Sequence, residues 1–133
     1  MNITAQIREM IEMDPEGVNA ISRRYGLAKN TVSAIRRGAI CPSPEFAVQF
    51  VADKGWRWKI RNMAFRGTPE EMLRRHLQAD PEAVAKLRNS DEIDSRTVTS
   101  MLSGKRPTKI ATIDKIADIL GLRFIVVEQE RVA

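Results

Sequence analysis

The chain matches itself at a single offset. Thr31-Val32 returns 66 residues later as Thr97-Val98. At the same offset Asp14-Pro15-Glu16 falls on Asp80-Pro81-Glu82, and Arg8, Val18, Gly38, Gly55 and Arg57 fall on Arg74, Val84, Gly104, Gly121 and Arg123. Apolar positions pair as well: Ile7 with Leu73, Ile11 with Leu77, Ile21 with Leu87, Leu27 with Ile93. Ile35 falls on Met101 without a gap, or on Leu102 with a one-residue slip. A length of 133 residues suits one ordinary domain, but a self-match of this extent divides it into two small units, 1–62 and 67–133.

Each unit reads as helices. Ile3, Ile7, Met10 and Ile11 recur at the helical period in ITAQIREMIEM,. Asp14-Pro15-Glu16 and Asp80-Pro81-Glu82 each place an N-cap acid before a proline at the first helical position. A second helix is expected through EGVNAISRRY to Gly26, a third through KNTVSAIRRG, and a fourth from Ser43-Pro44-Glu45 to Gly55,. In the second unit the fourth helix is KIATIDKIADIL, ending at Gly121. LRFIVVE, residues 122–128, is rich in β-branched residues and reads as a strand,. WRWKIR alternates apolar with cationic residues, which suits a strand or a loop into the second unit,. AFRGTPEEM is the joint: Gly67 breaks, Thr68 caps and Pro69 opens the next helix.

The segment around residue 30 carries the chemistry. Two helices joined by a tight glycine turn make a helix-turn-helix. Gly26 supplies the turn, Ser22 is small enough for the helices to approach, and Leu27, Val32 and Ile35 point inward. Lys29, Asn30, Ser33, Ala34 and Arg37 then face out. Asn pairs two-fold with adenine and Lys donates to guanine O6 and N7. Thr31, Arg36 and Arg37 suit phosphates, which set register without reading sequence; Thr97 is the counterpart of Thr31.

These residues resemble the Cro/repressor-type helix-turn-helix family over nearly the whole chain, twice. The pattern of a small residue, a turn glycine, a polar run with Thr-Val-Ser and a glycine end is met by Ser22, Gly26, LAKNTVS and Gly38. TVTSMLSGKRPT resembles the family's helix end in the second unit. The resemblance implies two tandem lambda-repressor-like bundles, all-α apart from a short C-terminal strand. It implies base contacts from Lys29, Asn30, Ser33 and Ala34, and from Ser95, Arg96, Thr99 and Ser100. It also implies phosphate contacts from Arg37, Lys105 and Arg106. The expected function is a sequence-specific regulator of bacterial or phage type, a repressor, that binds double-stranded DNA. The other expectation is an antitoxin or anti-activator that holds a protein partner, since GLRFIVVEQE resembles the tail strand of helix-turn-helix antitoxins, which pairs across a homodimer. Pairing of that strand with WRWKIR inside the chain is the alternative.

The second unit departs from the pattern. Glu92 replaces the turn glycine, Arg88 takes the small-residue position, and Asp91, Glu92 and Asp94 crowd the approach to its reading helix. Residues 1–66 hold eleven Lys/Arg against six Asp/Glu, hence +5, while residues 67–133 hold eleven of each, hence zero. Sequence-independent affinity for DNA grows with the phosphates neutralised, so the first unit is expected to dominate binding.

Other classes find little footing. One cysteine, Cys41, and one histidine, His76, allow no internal disulfide and no Cys/His metal set,. The start lacks the apolar run of a signal peptide, and no stretch approaches the ~18 apolar residues of a membrane span. A cytoplasmic protein with no cofactor, no metal and no membrane partner is expected, and not an enzyme. Trp56 and Trp58 match Leu122 and Phe124 and so suit a core or interface. Arg57, Lys59, Arg61 and Arg66 are either a solvated face or a track for phosphates.

Overall fold

The computed structural model describes residues 1–130. Residues 131–133, assigned above to the second unit, lie outside the described residues. In chain order the elements are α1 (Ile3–Met13), α2 (Gly17–Tyr25), α3 (Lys29–Arg36), α4 (Pro44–Ala52), β1 (Trp56–Ile60), α5 (Pro69–Ala79), α6 (Pro81–Arg88), α7 (Ser95–Ser103), α8 (Ile110–Leu120) and β2 (Phe124–Glu128). The chain is therefore mostly helical, and the expectation of an all-α protein needs amending. WRWKI is a strand, and it pairs with the C-terminal one.

That pairing organises the molecule. β1 and β2 run antiparallel, with Trp58 opposite Val126, Lys59 opposite Ile125 and Ile60 opposite Phe124. Ile125 lies 66 residues after Lys59, the offset of the repeat itself. Within the ribbon a two-fold axis through this pair exchanges the pairs on either side, Trp58 with Val126 and Ile60 with Phe124,. Side chains alternate between the faces of a strand, so Trp58, Ile60 and Phe124 turn inward and are buried. The Trp58 indole N–H donates to the Ala47 carbonyl at 2.9 Å, so its polar edge is satisfied inside the core. Trp56, at the strand's end, is 37% exposed.

The two units also exchange helix contacts. α5 packs on β1 of the other unit. Reciprocally, the Gln6 side chain of α1 donates to the Phe124 carbonyl on β2 at 2.7 Å. One continuous apolar cluster runs from Ile3 and Ile7 through Phe50 and Trp58 to Leu73, Ile113 and Phe124. Two units of about 65 residues each gain burial this way that neither would have alone.

One buried acid joins the units by hydrogen bonds. Asp114, on the inner face of α8, accepts from the Ile3 N–H at 2.8 Å, the Thr4 N–H at 3.2 Å and the Thr4 hydroxyl at 2.6 Å. The first-turn N–H groups of a helix have no partner within it. Here a carboxylate from the other unit supplies one, while Asn2 accepts from the Ala5 N–H.

Most helix starts are where cap chemistry places them. Ser43 accepts from the Phe46 N–H ahead of Pro44, Thr68 and Glu71 form a reciprocal capping box ahead of Pro69, and Asp80 accepts from Glu82 and Ala83 ahead of Pro81. The matching Asp14-Pro15 start is displaced. α2 begins at Gly17, whose φ of +78° breaks the first turn. The counterpart of Gly17 is Ala83, which has no such freedom and stays helical,. Asp14 ends α1 instead and binds Lys54 at 2.9 Å.

Asp114→Ala leaves the Ile3 and Thr4 donors without their acceptor at a buried junction. It is expected to cost about 2–3 kcal/mol in urea unfolding, with one transition retained. A loss within error of zero would show that solvent satisfies the start of α1.

Candidate nucleic-acid interface

α2 and α3 meet at a turn that needs a left-handed residue. Gly26 has φ +64°, and its N–H closes α2 on the Ser22 carbonyl. Ser22 is 7% exposed, and its hydroxyl donates back to Val18 at 2.9 Å, so it packs as a small, satisfied group. Val32 and Ile35 are the buried face of α3, with Leu27 packed beside them. In the second unit Val98 and Met101 take those places, so the repeat runs through α7 without a slip.

The side chains expected to face out differ in exposure. Lys29, Asn30, Arg36 and Arg37 are exposed, and Thr31, Ser33 and Ala34 are half-buried. On the second unit Ser95, Arg96, Thr99, Lys105 and Arg106 are exposed, and Thr97 and Ser100 half-buried. None of the cations in either set forms an ion pair among the described residues. Arg66 of the basic run does pair, with Glu130 at 2.9 Å.

The two faces differ at the helix entrances. α3 has Ala28 at its N-cap and no side-chain cap, so its positive end is open to an anion,. α7 has Asp94 at the same place, whose carboxylate accepts from the Arg96 N–H at 2.8 Å. That cap uses up a donor and places a negative charge at the start of α7.

The helix exits are alike, and for one reason. Gly38 and Gly104 both have positive φ, and an arginine of the unit's first helix lies against each. A Cβ on Gly38 would stand 2.6 Å from Arg8, and one on Gly104 would stand 3.0 Å from Arg74. Arg74 donates from Nε to the Met101 carbonyl at 2.9 Å, closing the end of α7. The recurrence of this Arg–Gly pair in the repeat has a packing cause.

Arg88 was legible only as a departure. It is not packed between helices as Ser22 is; it is exposed and reaches over α7. Nη1 donates to the Ser95 hydroxyl at 2.8 Å, and both terminal nitrogens approach the Thr99 hydroxyl, at 3.3 and 3.2 Å. Two hydroxyls expected to meet bases are thus already bonded to an arginine. Asp114 is the other residue with a role unseen in the sequence; its signal was an acid set within the apolar stripe of IATIDKIADIL.

Among the described residues no group of three or more His, Cys, Asp or Glu side chains is placed to hold a metal. Among the same residues no helix is long and apolar enough to cross a membrane.

No family model, no curated protein and no solved structure matches the chain. The geometry of the first unit can be checked at Tyr25, which fixes the end of α2 beside the turn. Its hydroxyl donates to Asp53 at 2.6 Å, and its ring stands edge-on to Phe46 and Phe50. Burial, then the bond to Asp53 and that residue's charge, push the phenol up to about 12 from 10.0. The folded form holds the proton more tightly, so this contribution to stability is complete below pH ~10 and is lost as pH rises toward 12. Tyr25 is the only tyrosine. Folded protein at about pH 11 is therefore expected to show little phenolate absorbance, where the denatured chain is mostly ionised. Equal ionisation in the two states would place the hydroxyl in open solvent.

Proposed function

We propose that the chain is a sequence-specific double-stranded-DNA-binding transcriptional regulator of bacterial or phage type, acting as a repressor. In this reading α2–α3 and α6–α7 are its two helix-turn-helix pairs and α3 is the dominant reading helix. The observation that carries it is the outer face of α3: Lys29, Asn30, Arg36 and Arg37 exposed, with no ion pair among the described residues, on a helix whose N-terminus has no side-chain cap. Asn30 is suited to adenine and Lys29 to guanine, with Arg36 and Arg37 suited to phosphates.

The two-fold register of the β1–β2 ribbon supports the same reading. Readers related by a two-fold axis suit half-sites in inverted order, about one DNA turn or 34 Å apart. Here the two readers differ, so the operator is a pseudo-palindrome with unequal halves. The strand that antitoxins use across a homodimer has its partner within this chain. One chain thus provides what two chains provide in an ordinary dimeric repressor. The antitoxin reading has less support, since the second unit keeps Arg88, Arg96, Lys105 and Arg106 exposed on its corresponding face.

Selection on random duplex DNA at physiological salt is expected to recover a two-part motif. Against the recovered duplex Asn30→Ala is expected to weaken binding about tenfold to hundredfold, and Arg96→Ala by less. Arg37→Ala is expected to weaken all sequences alike and to reduce the salt slope by about 0.9. Absence of any enriched motif would falsify the regulator reading; a larger loss from Arg96→Ala would reverse the ranking of the units.

A further inference from the structure

Arg88 and Ser95 are the counterparts of Ser22 and Lys29, and the two pairs are exchanged in kind. The first unit has a small residue on the preceding helix and a cation at the start of the reading helix. The second has the cation on the preceding helix and the small residue at the start of the reading helix. The positions are neighbours in space in both units. Ser22 and Lys29 line one shallow cleft with Asn19, Arg23 and Leu27, and Arg88 bonds Ser95 directly. The second unit has therefore kept a cation over the first turn of its reading helix and changed only the helix that delivers it.

The guanidinium is held in a defined pose. It has five N–H donors in one plane. Nη1 is directed at the Ser95 hydroxyl and carbonyl and at Thr99, and Nη2 shares the Thr99 hydroxyl with it. The N–H of Nη2 used there is the one that faces Nη1. The Nε–H and the second N–H of Nη2 remain, parallel on one edge, and neither has an acceptor among the described residues. No carboxylate pairs with Arg88 either, although Asp91, Glu92 and Asp94 are close in sequence. A parallel N–H pair matches guanine O6 and N7, and hydroxyl bonds along the other edge restrict the rotamers that would otherwise be lost on binding.

We infer that Arg88 is the specificity-determining residue of the second unit, reading a guanine through its free edge, with Ser95 and Thr99 as the residues that orient it. The inference rests on the regulator reading above and names the base that reading leaves open for α7. It also assigns a use to the two hydroxyls. They aim the reader and do not themselves read.

The test is motif selection with the intact chain, Asn30→Ala, Arg88→Ala and Arg88→Lys, folding being checked by circular dichroism. Asn30→Ala identifies the half-site of the first unit. In the other half, Arg88→Ala is expected to flatten one guanine position, with discrimination falling about tenfold to hundredfold. Arg88→Lys, with no planar fork, is expected to keep affinity but lose most of the preference. A motif unchanged by Arg88→Ala overturns the inference and leaves the regulator reading intact. A uniform loss over all sequences with a shallower salt slope makes Arg88 a phosphate contact and overturns it too. A sharper second half-site after Arg88→Ala overturns it by making the arginine a cover over Ser95 and Thr99. No motif from the intact chain removes both readings together.

Discussion

Everything else in this molecule depends on the register of one antiparallel strand pair. Lys59 stands opposite Ile125, its own counterpart in the repeat. A slip of one residue would turn either Trp58 and Ile60 or Phe124 out of the core. It would also remove the two-fold relation within the ribbon, because only this register sets Lys59 opposite its own counterpart. The contacts of α5 with β1 and of α1 with β2 follow from it, and so does the merger of two small cores into one cluster. The ribbon is thus a hydrophobic device and a symmetry element together.

Joining both halves in one chain frees them to differ. In a homodimer any substitution appears on both sides of the axis; here it appears on one. Asp114 shows the consequence. Its counterpart is Val48, and only one of the two inner positions bears a carboxylate that caps the other unit's first helix. Gly17 against Ala83 shifts a helix start, Ala28 against Asp94 opens one helix entrance and closes the other, and Ser22 against Arg88 moves a cation between helices. On the buried face of α3 and α7 the change is small: Val32 and Val98 are identical, and Ile35 against Met101 conserves volume well,. On α4 and α8 the core is repacked, with Ala47 against Ile113, Phe50 against Ile116 and Val51 against Ala117.

What could be read from the sequence was set by local physics. The caps at Ser43, Thr68 and Asp80, the turn at Gly26 and the buried pair Val32 and Ile35 each depend on residues a few positions apart, and the repeat on direct comparison of the sequence with itself. The exposed set on α3 followed from the same period. Three features were out of reach for the same reason in reverse. The choice between a strand and a loop at WRWKI depended on a partner 66 residues away, across the axis. The role of Asp114 depended on the start of α1, 111 residues away. Arg88 broke a family pattern, so the pattern registered a loss and could not show where the side chain went. The displaced start of α2 is a different case: the cap signal at Asp14 was sound, and Lys54 together with the free backbone of Gly17 gave that carboxylate other work.

The charge asymmetry takes on a different sense beside this geometry. The whole net charge of the chain lies in the first unit, which suggests one unit for affinity and one without a function on DNA. Affinity and discrimination, however, arise from different contacts. Phosphate neutralisation scales with net charge and salt, while base reading requires a few donors held in the right plane. On the proposed DNA-binding reading, the second unit lacks the first kind of contact and keeps the second. Its acids cancel its cations in sum, yet the guanidinium of Arg88 stays free of them and is set by two hydroxyls. On that reading a weakly attracting but well-oriented half, tethered to a strongly attracting one, would add its contacts at high effective concentration. It would need no charge of its own to reach DNA, because the first unit would bring it there.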